Sequence, residues 1–279
     1  MCGRYVIVSN VVTIEKKFNI SISSDEEVTK NYNLGPGQVG PIITNDQPHK
    51  IQMGRFGYSR SWSEKKSVTI NARVDSKEDN PNDSMDYFKK GGKPGIFQHT
   101  FWRSAIRKKR CIIFADAFNE GPRKEKLNKP YLIYLRNKQR PFAMAGVWDQ
   151  FVDSYGIAKP CFAILTVPAN KLLNAIGHHR SPLILPPDHV MDYLSSPLSD
   201  IKNLFEPFPY KQMNAYPVSN QMKSGKENNK ELVNPIGQPI LNENDETAFQ
   251  VSVAIVATGL RGGDYIAFPL PMISKFYKF

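Results

Sequence analysis

The sequence predicts an α+β fold in which strands supply the core and the helices are short. Three observations support this. Brief apolar runs recur, such as Cys111-Ile112-Ile113-Phe114 and Cys161-Phe162-Ala163-Ile164-Leu165, and read as buried strands. Helical spacing of apolar residues is confined to short stretches. Turn-forming residues separate these segments. At 279 residues, 41% of them hydrophobic, the chain is long enough for one large domain, or one domain with an extension, and too apolar to be mostly disordered.

In chain order, residues 11–18 carry apolar side chains at helical spacing with a Glu15-Lys16-Lys17 face, a short amphipathic helix. Tyr32-Asn33-Leu34-Gly35-Pro36-Gly37-Gln38 is turn-rich and leads into a strand at 39–44. A strand at 51–59 precedes Arg60-Ser61-Trp62, and a strand-like Val68-Thr69-Ile70 ends in Asn71-Ala72-Arg73. Residues 76–95 are polar, with Pro81 and Pro94, and read as a mobile surface loop. Phe101-Trp102 opens a basic stretch, through Arg110, that reads as a helix. After the strand at 111–114, residues 130–136 and 141–151 read as a hairpin closed near Asn137-Lys138. Another buried strand covers 161–167 and a helix 168–177. Asp188 is placed to cap a helix at 189–194, a second short helix is expected at 198–205, and 213–218 return to the sheet. Residues 219–231 are rich in Lys, Asn and Gly and read as loose. A strand is expected at 248–258, and 259–279 form a Gly/Pro/aromatic tail.

The net charge is +11 and the pI is near 9.4. That balance points to a polyanionic partner such as nucleic acid, although Lys/Asn-rich stretches also follow genome composition. No apolar run approaches the ~20 residues of a membrane helix, and the N-terminus lacks a basic segment followed by an apolar one. The expected location is the cytosol, on the nucleoid, with no membrane partner. Cys2, Cys111 and Cys161 are widely spaced, which gives neither a disulfide framework nor a metal-ligand pattern. No metal and no cofactor are expected.

The chemistry centres on Met1-Cys2-Gly3-Arg4-Tyr5. Once Met1 is removed, Cys2 carries an α-amine and a thiol on adjacent carbons. Such a 1,2-aminothiol condenses with an aldehyde to an imine, which the thiol closes to a thiazolidine. Both groups titrate near neutrality, at ~7.7–8.0 and ~8.5. Asn71 and Arg73 end a strand and share a face, where an amide can orient a carbonyl or hydroxyl and a guanidinium can fork onto a phosphate. Glu120 lies between an apolar segment and Gly121-Pro122; it suits a general acid or base with a raised pKa, or equally a surface ion pair. Of His178 and His179, at most one faces a given site, as a proton shuttle or as a structural residue. Trp62 beside Arg60 can stack on a base or belong to the core. The aromatic and basic run 101–110 is a solvated face or a nucleic-acid contact.

Taken together, the motifs resemble the SRAP family, the SOS response-associated peptidase-like proteins that process abasic sites. The resemblance runs through Met1-Cys2-Gly3-Arg4-Tyr5, Tyr32-Asn33 with Pro36 and Gln38, Arg55-Phe56-Gly57 with Trp62, and Asn71-Ala72-Arg73. It continues through Arg110-Cys111-Ile112, Ala115-Asp116, Phe118-Asn119-Glu120, Ala145-Gly146-Val147-Trp148 and His178-His179-Arg180-Ser181-Pro182. It covers about residues 2–235, leaving 236–279 as an extension of unknown role packed on the same domain.

The resemblance implies mostly antiparallel sheets curling into a barrel-like core flanked by short helices. It implies a monomer that crosslinks an abasic site in single-stranded DNA to Cys2 as a thiazolidine, after self-removal of Met1. By the same resemblance Cys2, Asn71, Glu120 and His178 are catalytic: Asn71 orients the sugar and the Cys2 end, Glu120 handles protons, and His178 assists ring opening and reversal. Arg4, Arg73, Trp62, Phe56 and Arg180 are expected at the DNA. The chain departs from the family at Asp75, where Glu is usual, and at Asn119 and Gly121, where aromatics are usual. Phe56 stands in place of Trp and Ser181 in place of Met. Two alternative readings are a cysteine peptidase acting on other proteins, with His178 as base to a Cys2 thiolate, and a non-covalent single-stranded DNA binder.

Overall fold

The structure is a computed structural model that describes residues 2–24, 27–59, 68–75 and 95–242. Its first half carries strands β1 (Arg4–Ile7), β2 (Ser23–Ser24), β3 (Asn31–Leu34), β4 (Val39–Thr44), β5 (Gln47–Phe56), β6 (Asn71–Arg73) and β7 (Arg110–Ala115). Then follow β8 (Ala117–Glu120), β9 (Tyr131–Leu135), β10 (Phe142–Val152), β11 (Ala158–Pro168), β12 (Arg180–Pro182), β13 (Ile184–Leu185) and β14 (Met213–Pro217).

Five strands close on themselves. β5 pairs with β4, β4 with β7, β7 with β10 and β10 with β11, all antiparallel. β11 returns to β5 in parallel, with Cys161 opposite Arg55 and Phe162 opposite Phe56. Closure removes the unpaired strand edges that an open sheet exposes. The apolar runs seen in the sequence fill this barrel: Ile42, Phe56, Ile113, Phe162 and Ile164 are fully buried. Gly146 makes room among them, since a Cβ there would lie 2.3 Å from Ile113 Cδ1 and 2.8 Å from the Ala163 carbonyl oxygen.

A second, wholly antiparallel sheet runs β14-β9-β8-β1-β3. Alternation along its strands serves two cores. Tyr5, Ile7, Phe118 and Ile133 join the main core, while Val6, Ala117, Leu132 and Tyr216 join a smaller one. Residues 236–242 run beside β14: the Ile236 and Ile240 N–H groups donate to the Pro217 and Ala215 carbonyls at 2.9 and 2.8 Å. The fold is therefore α+β, with a closed barrel, a covering antiparallel sheet and few short helices. Among the described residues no helix is long and apolar enough to cross a membrane.

The helix Val11–Phe18 forms as its spacing predicts, with Asn10 Oδ1 accepting from the Thr13 N–H at 3.0 Å and Ile14 and Phe18 buried. The helix Lys171–Ile176 is capped by Asn170 and stopped by Gly177 at φ 84°.

Several expectations are corrected. β9 and β10 are not a hairpin: β9 lies between β8 and β14, and β10 between β7 and β11. Asn137 and Lys138 do turn the chain, at φ 59° and 52°, but the turn passes it from one sheet to the other. Of 101–110 only Ala105–Lys108 is α-helical, because Trp102 turns inward against Tyr58, ring centroids 4.9 Å apart. Asp188 lies inside a 3-10 turn, Pro187–His189, and does not cap the helix Val190–Ser195. The expected helix at 198–205 shrinks to a 3-10 turn, Lys202–Leu204, where Ser199 Oγ bonds Asp200 at 2.6 Å, a local side-chain bond of the kind that competes with helix. The stretch read as loose at 219–231 covers the outer sheet, with Met222 buried and its carbonyl bonded by Asn33 Nδ2 at 2.9 Å. The loop at 76–94, the strand at 248–258 and the tail lie outside the described residues.

Candidate active site

Three separate segments, carrying Asn71, Glu120 and His178, are gathered about Cys2. β11 is the common scaffold. Its C-terminal half pairs in parallel with β6, Asn71 opposite Ile164 and Arg73 opposite Thr166. It also pairs antiparallel with β12, Pro168 opposite Arg180. Asn71 is thereby held so that its Nδ2 donates to the Cys2 carbonyl at 3.0 Å. Asn71 Oδ1 is buried without a hydrogen-bond partner among the described residues. Glu120 ends β8, which pairs with β1 through Arg4 opposite Asn119, so the carboxyl arrives beside the chain start. His178 follows the Gly177 cap, and its Nε2 lies 3.4 Å from Glu120 Oε2.

Burial sets the electrostatics. It raises Glu120 from an ordinary 4.5 to about 7 and lowers His178 from 6.5 to about 4. Each group thus holds its neutral form over the range between those values. Burial also drives the Cys2 thiol well up, and the Glu120 charge adds to that.

The imidazole tautomer follows from its partners. His178 Nδ1 is 2.8 Å from the Gly121 carbonyl oxygen, which can only accept, so Nδ1 carries the hydrogen. The Nε2 lone pair then faces Glu120, and the protonated carboxyl can donate to it. Gly121 is required for this contact. A Cβ there would lie 1.9 Å from the Lys126 carbonyl oxygen, within the loop that folds back beneath it.

Arg73 stands at the rim, its side chain 42% exposed. Asp75 holds it through Nε at 2.9 Å and through Nη2. Arg180, expected at the DNA, is buried, pairs with Asp75 Oδ1 at 2.6 Å and donates to the Thr166 carbonyl. Burial alone would raise the Asp75 carboxyl, but Arg180 and Arg73 together hold it below its ordinary range. Phe56, also expected at the DNA, is 0% exposed and stacks on Phe162 at 5.3 Å. Arg4 is half-buried and its guanidinium reaches the Asn33 and Lys223 carbonyls at 3.4 and 3.5 Å. Trp62 lies outside the described residues. Asp75, which stands in the sequence where Glu is usual in the family, is the clamp for Arg73. The Gly121 carbonyl fixes His178, with no signal in the sequence beyond the glycine itself.

The profile of the SOS response associated peptidase (SRAP) family matches residues 1–85 and 93–225. Abasic site processing protein YoqW of Bacillus subtilis (strain 168) is 28% identical over 242 residues, 84% of this chain and 99% of that protein. Abasic site processing protein HMCES of Gallus gallus is 25% identical over 251 residues, 78% of this chain and 70% of that protein. A crystal structure of a protein from Bacteroides thetaiotaomicron shares the fold, with a TM-score of 0.67 at 24% identity over 84% of this chain and 99% of that one. With a family match spanning most of its length, this chain belongs to the SOS response associated peptidase (SRAP) family.

Proposed function

We propose that this protein processes abasic sites by capturing the open-chain aldehyde of the damaged sugar on Cys2, in single-stranded DNA. Relatives named as abasic site processing proteins support the substrate. The observation that carries the chemistry is the placement of the buried Glu120 carboxyl, next to Cys2 and 3.4 Å from His178 Nε2. Burial raises it toward the range in which a group can both give and take a proton efficiently.

Hydrolysis of the Met1–Cys2 peptide bond first frees the α-amine. The amine nitrogen adds to the aldehyde carbon and gives a carbinolamine. Glu120, in its acid form, protonates the hydroxyl, which leaves as water, and a protonated imine remains beside the Glu120 carboxylate. The thiol sulfur then bonds to the imine carbon. Its proton returns to Glu120, the nitrogen keeps its one hydrogen, and the ring is closed. The net change is loss of one water. Asn71 holds the Cys2 carbonyl, and its buried Oδ1 is an acceptor for an amine or sugar N–H or O–H. His178 Nε2, neutral at working pH, faces the Glu120 carboxyl and orients its proton for the forward and reverse steps. Arg73, aimed by Asp75, takes a flanking phosphate, and half-buried Arg4 adds positive charge near the chain start. A duplex would hide the sugar, which favours single strands.

A peptidase built on a Cys2 thiolate is the weaker reading. It needs a lowered thiol pKa, whereas burial and Glu120 push Cys2 upward, and His178 faces Glu120.

The test is a denaturing gel of Met1-processed protein with single-stranded DNA bearing one abasic site. Wild type should give a heat-stable adduct and Cys2→Ala none, with Cys2→Ser giving at most a labile one. An adduct of equal yield from Cys2→Ala would refute the proposal.

A further inference from the structure

One cationic feature takes no part in the capture chemistry. Phe97, Arg103, Ser104, Arg107 and Lys108 line an open groove. Arg103, Arg107 and Lys108 are exposed, and among the described residues none of them pairs with a carboxylate. Lys109, next in the chain, differs: it is paired with the buried Asp149. Residues 95–115 contain no acidic residue at all. Among the described residues, the groove therefore carries positive charge with no acidic partner.

Its geometry is held. Arg107 Nη1 donates to the Phe97 and Arg103 carbonyls at 3.1 and 2.6 Å, tying the two short helical segments together. Phe97 is half-buried, its ring 5.5 Å from that of the buried Phe205. A flat apolar surface thus sits beside three cations and the Ser104 hydroxyl. The segment that carries Phe97 is tied to the strand that carries Arg73. The Ile96 N–H bonds the Val74 carbonyl at 2.9 Å, so this segment is anchored immediately after Arg73, the residue assigned above to a phosphate.

We propose that this groove is a second nucleic-acid contact, which takes the sugar-phosphate backbone of the single strand flanking the lesion. The inference rests on the DNA substrate proposed above. Cations at fixed spacing neutralise successive phosphates, and the half-exposed ring offers a sequence-tolerant contact. A strand bound at Arg73 is in this way held at a second place beyond it, and the damaged sugar that it carries has less freedom to leave Cys2.

The test uses full-length Cys2→Ala protein and an undamaged thymidine oligomer of about twenty nucleotides, so that it does not depend on capture. Binding is followed by fluorescence anisotropy as a function of salt. With Arg103→Gln/Lys108→Gln added, the slope of log K against log salt should fall by ~1.4, about 0.7 for each phosphate that is no longer neutralised. A control pair of exposed lysines outside the groove, Lys16→Gln/Lys138→Gln, should leave the slope nearly unchanged. An unchanged slope in the groove variant, or an equal fall in the control, would overturn the proposal. Failure of capture on abasic DNA with these slopes intact would count against the reaction at Cys2 and leave the groove standing.

Discussion

Glu120 and His178 titrate in opposite senses, and this has a measurable consequence. Glu120 has a folded pKa of about 7 against 4.5 ordinarily. Its contribution to stability is present below pH 4.5 and is lost as pH rises through 7. His178 has a folded pKa of about 4 against 6.5. Its contribution is present above pH 6.5 and is lost as pH falls through 4. Each is worth ~3 kcal/mol at most, and over the shared window they largely cancel. Denaturant unfolding between pH 4 and 8 should separate them. Relative to wild type, Glu120→Gln should gain stability as pH rises from 4.5 to 7, because it no longer carries the burial cost of that carboxylate. His178→Gln should lose relative stability from pH 4 to 6.5, because it no longer gains from the deprotonation of a buried imidazole. Two variants that track wild type in parallel would show that these groups are not buried as described.

At the scale of elements, the site depends on what β6, β8 and β12 bring with them. Asp75 is the shared partner of Arg73 and the buried Arg180. Asp75→Ala removes the carboxylate that pairs with the buried Arg180, and should cost ~3–5 kcal/mol of unfolding free energy. Arg73→Ala, at the exposed end of the same network, should cost far less. Equal losses in the two variants would contradict the assignment. Gly121→Ala forces a methyl against the Lys126 carbonyl and should destabilise by ~1–3 kcal/mol. It should also slow capture, because the displaced loop no longer fixes His178. A variant with wild-type stability and rate would show that the loop yields freely.

Elements also mark what could be read from residues alone. The helix Val11–Phe18 and the buried runs at β7 and β11 were legible, because local apolar spacing reports burial directly. The pairing of strands was not. The turn at Asn137-Lys138 signals a reversal, and nothing nearby tells which sheet each flanking strand joins. Cys2, Asn71, Glu120 and His178 stood out as polar groups at strand or turn boundaries, and the family resemblance tied them together. The burial of Phe56 and Arg180 was not legible, for one reason. A phenylalanine or arginine shows its direction only through its partners, and Phe162 and Asp75 lie about a hundred residues away in each case.

For the whole molecule, the barrel and the covering sheet hold the chain start beside β6 and β8, and the net charge of +11 favours a polyanionic partner. Binding of undamaged single-stranded DNA should therefore weaken steeply with salt, and Arg73→Ala should reduce that slope by ~0.7 whatever the base sequence. An unaltered slope would remove Arg73 from the DNA path.

The most direct test is the intact mass of the product formed by Met1-processed protein on single-stranded DNA with one abasic site, followed by mapping of the joined residue. The account predicts protein plus DNA less one water, ~18 Da, with the DNA attached at Cys2, the thiol closed to alkylation and the adduct stable without borohydride, since burial and Glu120 favour ring closure over an open imine. An adduct attached at a lysine, or one that keeps an alkylatable Cys2 thiol, would contradict it.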